Sequence, residues 1–208
     1  MRFMTWNVWG RFGERWQRRQ RAIVATLRAE RPEFVALQET WRSEDQTQAD
    51  LLAAELGMWS AFAPSRMPRD PDPDVRLGLA VMSRFPFRRV ERHRLFEDTI
   101  ALRAEVRMGN HNLHFVTTRL DWEDDHRRER QAEADALTDL VTELVSTGDG
   151  VVLAGDLNAS PDRPVLRPLA ADGPVSCESR IVGLDEDRGD PRSDHYAVVS
   201  DIPVATFI

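Results

Sequence analysis

The chain has little cysteine, no long apolar run and no excess of positive charge. Each of these absences excludes a class of protein or weighs against it. Cys177 is the one cysteine among 208 residues, which excludes an intrachain disulfide and a zinc site built from several cysteines. We expect it to be a small buried thiol. No apolar stretch approaches the roughly 20 residues that span a bilayer, and the start, MRFMTWNVWG, lacks the basic and apolar regions of a signal peptide. We therefore expect a cytoplasmic protein without a membrane span.

The net charge is −7, so the surface as a whole repels the phosphate backbone of nucleic acids. This weighs against bulk DNA binding but leaves open a nuclease with a local basic patch. Four arginines beside the first polar motif could form such a patch, although we favour an ordinary solvated helix face for them: Arg11, Arg15, Arg18 and Arg19.

The apolar pattern predicts one domain over residues 1–208, because 41% of the chain is hydrophobic and the apolar runs are evenly spread. Helical periodicity predicts three main helices, over residues 15–29, 45–56 and 123–147. Four consecutive strands, LGLAVMSRFPF, RRVERHRLF, TIALRAEVRM and HNLHFVTTRL, predict an antiparallel meander. Further elements are predicted as strands at 1–7, 34–37, 151–154, 176–184 and 196–202 and a short helix within 161–174. The mixture predicts an α/β fold with two mainly antiparallel sheets packed face to face and helices outside.

Three predicted strands end in carboxylate or amide groups. Asn7 follows MTW, Glu39 follows FVALQ, and Asp156 and Asn158 follow VVLAG. Since side chains alternate along an extended segment, we expect Asp156 and Asn158 to project to the same side. Any one of these residues alone could simply lead its strand into solvent.

An acid and an imidazole, Asp194 and His195, precede the last predicted strand. Together with the strand ends they suit a hard cation and a phosphate, because Mg²⁺ takes carboxylate oxygens and keeps several waters. A carboxylate such as Asp156 can accept the proton of an attacking water. An amide such as Asn158 can donate to a phosphoryl oxygen, and an imidazolium can stabilise the charge that develops there.

Four motifs in this order, TWNVWG, LQET, GDLNASPD and SDHYAVV, resemble those of the exonuclease/endonuclease/phosphatase superfamily, which has the deoxyribonuclease-I-like fold. LGLAVMSRFPF resembles the family's strand ending in Ser-Arg-x-Pro, and Arg128 and Gln131 resemble its Arg-x-x-Gln helix. The match runs over essentially the whole chain. It implies a four-layer α/β sandwich and a phosphoesterase that depends on Mg²⁺ or Mn²⁺.

The resemblance also implies a role for each polar residue around the metal. Glu39 is then the principal metal ligand, assisted by Asn7. Asp156 orients and deprotonates the nucleophilic water. Asp194 lies where family members place a second acid on the side of the metal or the nucleophile.

On the phosphate side, the resemblance implies that Asn158 contacts the phosphate and that His195 grips the scissile group. The family's usual Thr-His-Leu is replaced here by arginine at position 119. Arg119 keeps donors and positive charge, so we expect it to clamp phosphate but not to act as an acid. His114 is five residues earlier and so on the opposite face, and His111 lies near a turn; we expect both to be exposed or partly buried strand residues.

A second departure concerns the residue that orients His195. In the family, an aspartate on a strand before the Ser-Asp-His motif does this, but Val182 stands at that position here. Glu178 shares a face with Val182 and is about 13 Å from it along a strand, which is too far. Asp185 and Glu186, just beyond the strand, remain as candidates.

These features predict a monomeric, metal-dependent phosphoesterase, with a small-molecule or nucleotide substrate slightly favoured by the acidic charge. A nuclease acting on DNA or RNA is one alternative. Another is a catalytically degenerate phosphate-binding or interaction module of the same fold. The intact set of residues on the metal side argues against that module.

Overall fold

The computed structural model describes residues 1–13, 15–68, 72–123, 125–159, 166, 178–182 and 193–203. Three helices lie among these residues: α1 (Trp16–Glu30), α2 (Gln48–Leu56) and α3 (Arg127–Ser146). The strands are β1 (Arg2–Asn7), β2 (Phe34–Arg42), β3 (Trp59–Pro64), β4 (Arg76–Ser83), β5 (Phe87–Phe96), β6 (Thr99–Met108), β7 (His111–Thr118), β8 (Gly150–Leu153), β9 (Glu178–Val182) and β10 (Ala197–Asp201).

The strands form two sheets, as predicted. One has the order β3-β4-β2-β1-β10-β9 and the other the order β5-β6-β7-β8. An apolar core that includes the stacked rings of Phe3 and Phe34 joins the two sheets. Helices α1 and α2 cover the outer face of the larger sheet through Ile23, Leu27 and Leu52, and α3 covers the smaller sheet. The four-layer α/β sandwich is therefore confirmed.

Each sheet contains one parallel pair of strands among its antiparallel ones. β1 runs parallel to β2, and β7 runs parallel to β8. A hydrogen bond from Gln38 Nε2 to Thr117 Oγ1, 3.0 Å long, joins β2, at the point where its pairing with β1 ends, to the end of β7 across the sandwich. The carboxyl ends of both parallel pairs therefore meet at one edge of the fold, and β10 begins at the same edge.

The helix boundaries follow local capping. Thr47 Oγ1 accepts a hydrogen bond from the backbone N–H of Asp50, so α2 begins at Gln48, three residues later than predicted. It ends at Gly57, whose φ of 64° only glycine adopts easily. The third helix also begins later than predicted, at Arg127.

The predicted four-stranded meander is wrong in its first member. β4 pairs with β2 and β3 in the larger sheet, and only β5, β6 and β7 form the meander. Residues 84–86 carry the chain from one sheet to the other, and a break this short looks like a hairpin in the sequence. The strand β3 was also missing from the prediction.

Several predictions fall partly or wholly outside the described residues. They concern Cys177, Asp185, Glu186 and the short helix within 161–174, of which the structure describes residue 166 alone. The predicted strand at 176–184 is present as β9. Within the described ranges, no helix combines the length and the apolar character needed to cross a membrane.

Candidate active site

The site begins with Asn7, which links two carboxylates from different sheets. Its Nδ2 donates to Glu39 Oε1 at 2.9 Å and to Asp156 Oδ2 at 3.0 Å. Its Oδ1 accepts from the backbone N–H of Trp9 at 3.1 Å, which fixes the amide with its nitrogen toward the acids. Asn7 therefore sets the separation of Glu39 and Asp156 and screens their mutual repulsion.

Glu39 has an unusual backbone conformation. Its φ is +54°, and the pairing register of β2 with β4 shifts between Leu37 and Thr40. A bulge of this kind turns a side chain away from the regular alternation, and left-handed backbone in a residue other than glycine costs about 1–3 kcal/mol. The side chain is buried, and burial raises the pKa of its carboxyl, an effect that the charge of Arg119 and the Asn7 hydrogen bond oppose.

Arg119 lies between the two acids, directly after β7. Its Nε is 2.9 Å from Glu39 Oε1 and 3.9 Å from Asp156 Oδ2. Its guanidinium lies over the ring of Trp122, 4.2 Å from the ring centre. The residue is buried, its Nε contact with Glu39 is an ion pair that lacks hydrogen-bond geometry, and its Nη1 has no hydrogen-bond partner among the described residues. A buried donor without an acceptor is costly, so this nitrogen is suited to an anionic ligand.

Gly155 allows Asp156 to approach Arg119. A Cβ at position 155 would lie 2.3 Å from the carbonyl oxygen of Thr118, so only glycine fits. Arg119 and Asp156 then form an isolated parallel bridge beyond the regular strands. The bridge includes a hydrogen bond from the backbone N–H of Asp156 to Thr118 O at 3.1 Å.

Asn158 does not continue an extended segment from Asp156, so the strand alternation from which their shared side was predicted is absent. Its φ is +46°, and the chain is therefore not extended there. Its Nδ2 donates to Leu120 O at 2.7 Å, and its backbone N–H donates to Asp156 Oδ1 at 3.1 Å. In this structure Asn158 thus holds the Asp156 loop against the end of β7.

His195 is oriented by its neighbour Asp194. Its Nδ1 is 2.8 Å from Asp194 Oδ1, and its Nε2 is 3.6 Å from Asp156 Oδ2. Ser193 Oγ donates to Asn7 O at 2.6 Å, which fastens this segment to β1. The hydrogen bond to Asp194 raises the pKa of His195, and burial opposes the shift. Burial also opposes ionisation of Asp194, but the hydrogen bond to His195 prevails and its pKa is lowered.

Two arginines near the first motif are not on a solvated helix face, contrary to expectation. Arg19 is buried, and its Nη2 donates to the carbonyls of Trp9, Gly10 and Phe12 at 3.0, 3.0 and 2.7 Å. Arg11 lies over the Trp41 ring, 4.0 Å from its centre. Arg19 thereby fixes the loop that follows Asn7. No feature of the sequence pattern distinguished it from its exposed neighbours.

Other predicted residues lie away from this site. His114 pairs with Asp149, with 3.4 Å between Nε2 and Oδ2, and is buried, whereas an exposed or partly buried residue was expected. It does not substitute for the missing family histidine. Arg128 and Gln131 are exposed on α3, and Gln131 donates to Asp135.

A separate acidic cluster lies between β7 and α3. Among the described residues, Asp121, Glu123 and His126 are the one group of three acid or imidazole side chains whose potential ligand atoms lie within 4.8 Å of one another. Arg66 Nη1 lies 2.7 Å from Asp121 Oδ2 and Arg66 Nη2 lies 3.3 Å from Glu123 Oε1. The guanidinium of Arg66 therefore already supplies positive charge to this cluster. The spacing Asp-x-Glu-x-x-His is the sequence signal that could have found it.

The chain resembles known proteins in sequence pattern and in fold. Residues 4–201 match the model of the Endonuclease/Exonuclease/phosphatase family. The structure of the human Nocturnin catalytic domain with bound sulfate anion has a TM-score of 0.76 and 20% identity, covering 98% of this chain and 93% of that one. D. rerio TDP2 complexed with single strand DNA product has a TM-score of 0.78, 15% identity and 98% coverage of each chain. At these identities the likeness shows the fold. No curated protein sequence matches the chain significantly.

Proposed function

Because the chain belongs to the Endonuclease/Exonuclease/phosphatase family, we propose that it is a divalent-metal-dependent phosphoesterase that hydrolyses a phosphomonoester or phosphodiester. One observation carries this proposal. The Oδ2 atom of Asp156 lies 3.0 Å from Asn7 Nδ2, 3.6 Å from His195 Nε2 and 3.9 Å from Arg119 Nε. A carboxylate oxygen surrounded by three nitrogens is held in place, as the base that accepts a proton from water must be.

The donor set suits a hard divalent cation. Carboxylate oxygens are the preferred protein ligands of Mg²⁺ and Mn²⁺, and Glu39 presents a buried one beside Asp156. Glu39 is the principal ligand in this proposal, with Asn7 and Asp194 as further ligands. In the structure Asn7 turns its nitrogen toward the acids, so its oxygen binds a metal only after the amide rotates. When bound, the ion lowers the pKa of a water and neutralises phosphate charge.

The residues of the chain supply the remaining chemistry. Asp156 accepts the proton of the attacking water, held by Asn7 and by the backbone N–H of Asn158. The hydrogen bond to Asp194 raises the pKa of His195 and so favours the imidazolium, which donates to a phosphoryl oxygen as negative charge develops there. The unpartnered Nη1 of Arg119 binds another oxygen of the same group.

We favour a small-molecule or nucleotide substrate, because the net charge of −7 opposes binding along a duplex. A nuclease is the second candidate, supported by the fold shared with a TDP2 protein that was crystallised with a single-strand DNA product. The degenerate module is the weakest candidate, since Asn7, Glu39 and Asp156 are all present and Asn7 donates a hydrogen bond to each of the two acids.

Hydrolysis assays with metal test the proposal. Wild type, Asp156→Ala and the control Asp139→Ala, an exposed acid on α3, are each given phosphomonoesters, phosphodiesters and plasmid DNA with Mg²⁺ or Mn²⁺. We expect turnover that chelation abolishes, and a loss of about a hundredfold or more in Asp156→Ala alone. No turnover of any phosphoester by wild type, with no metal bound, would contradict the proposal.

A further inference from the structure

Arg119 places a fixed positive charge on the carboxylate that the proposed metal needs. Its Nε lies 2.9 Å from Glu39 Oε1, and both side chains are about 95% buried, with exposed fractions of 5% and 4%. The same oxygen also accepts the hydrogen bond of Asn7. A guanidinium carries a permanent positive charge, so a cation that approaches Glu39 meets a charge of its own sign.

Three features hold the guanidinium at this position. The Trp122 ring covers it at 4.2 Å, the bridge to Asp156 fixes its backbone, and the backbone N–H of Leu120 donates to Asp156 O at 3.0 Å. The ion pair with Glu39 is therefore built into the end of β7 and is not a chance contact between mobile side chains.

We propose that Arg119 is an internal counter-ion that occupies Glu39 in the metal-free protein and competes with a divalent ion for it. This inference rests on the proposed function, because it requires Glu39 to be a metal ligand. A cation that binds Glu39 must displace the guanidinium or bind beside it against its charge. Displacement also frees Arg119 to turn toward a phosphate. Its Nη1 is available to donate to a phosphate oxygen, because this nitrogen has no hydrogen-bond partner among the described residues.

The competition has two opposite consequences for one substitution. Without Arg119, the buried Glu39 loses the cation that contacts it directly, so the metal-free protein is less stable. The same substitution leaves Glu39 open to a cation, so the metal binds more tightly and raises the melting temperature further than in wild type. A residue that only filled space would lower stability in both states.

Titration calorimetry with Mn²⁺ alone, on the 208-residue chain after a chelator has removed bound metal, measures the competition. Arg119→Ala and the more conservative Arg119→Gln are compared with wild type, and Glu39→Gln identifies the ligand. We expect both Arg119 variants to bind Mn²⁺ about tenfold or more tightly than wild type, the scale on which partners of a metal ligand act. Glu39→Gln abolishes binding, and Arg119→Gln provides the measurement if Arg119→Ala does not fold.

The outcomes separate the inference from the function on which it rests. If wild type binds Mn²⁺ through Glu39 but both Arg119 variants bind equally or more weakly, the competition is refuted and the metal site stands. If neither wild type nor the variants bind Mn²⁺, the proposed metal dependence itself fails. Melting curves with and without Mn²⁺ provide the second readout, with the larger metal-induced increase expected in the variants.

Discussion

Replacement of Gly155 by alanine tests how closely the two strand ends that carry Arg119 and Asp156 approach each other. The added Cβ would lie 2.3 Å from Thr118 O, 3.1 Å from its nitrogen and 3.2 Å from its carbon. Ordinary contacts of this kind are about 3.5 Å, so the ends of β7 and β8 must separate by about 1 Å. Asp156, the next residue, moves with them.

Two losses follow from this displacement. Overpacking of a close contact typically costs about 1–3 kcal/mol of stability, and the hydrogen bond from the N–H of Asp156 to Thr118 O, now 3.1 Å, is stretched. Misplacement of a catalytic group by about 1 Å can lower the rate on the order of a hundredfold. We expect Gly155→Ala to show both effects, measured by denaturant unfolding and by phosphoester hydrolysis.

Gly109→Ala is the matched control. Gly109 has a φ of +60° and no atom within 4 Å of the added Cβ, so alanine there costs about 1 kcal/mol of backbone strain without a clash. It should lose stability and keep its rate. Full activity and unchanged stability in Gly155→Ala would refute the close approach, and a rate lost equally in both variants would refute its link to the site.

Two further predictions concern the residues that support the site. In protein freed of metal by a chelator, Asp194→Asn should lower the pKa of His195 from its raised value toward or below 6.5. An NMR titration of the imidazole measures this pKa. In wild type, the contact with Asp194 contributes fully to stability below the pKa that His195 has in the unfolded chain. This contribution disappears as the pH rises through the higher pKa of His195 in the folded protein. An unchanged His195 pKa in the variant would exclude Asp194 as its partner. Arg19→Ala should cost about 2–4 kcal/mol of unfolding free energy, since three loop carbonyls, one buried and two partly buried, lose a charged donor, whereas Arg18→Ala on the exposed face should cost little.

The sequence predicted the fold and the meeting of polar strand ends because both follow from short-range pattern. A buried parallel strand reads as a continuous apolar run, and the polar residues that follow the run mark where the parallel pairing ends, as at Glu39 and Asp156. The register shift that aims Glu39 depends on how β2 pairs with β4. This pairing is a long-range property that alternation along one strand does not reveal.

Three errors have the same physical origin. The sequence pattern places β4 in the meander because the chain changes sheet within three residues. The burial of Arg19 depends on three carbonyls of a folded loop. The geometry of Asn158 depends on its contact with Leu120 O, far along the chain. In each case a tertiary hydrogen bond or strand pairing overrides a local preference. The family pattern predicts Asp194 beside the metal and leaves Asp185 and Glu186 to orient His195, whereas in the structure Asp194 Oδ1 lies 2.8 Å from His195 Nδ1.

The distance between Glu39 and Arg119 is set by the core between the sheets. Glu39 lies at the bulge within β2 of the larger sheet and Arg119 directly follows β7 of the smaller one, so the site spans their interface. Beneath it, the Phe34 ring lies 4.9 Å from Phe3 in its own sheet and 5.5 Å from Phe115 in the other. The bond from Gln38 to Thr117 joins the same strands closer to the site. Since closely packed interiors deform little, this core holds the acid and the guanidinium together. A smaller side chain in this core should therefore change the distance between Glu39 and Arg119, although these three rings are not part of the site.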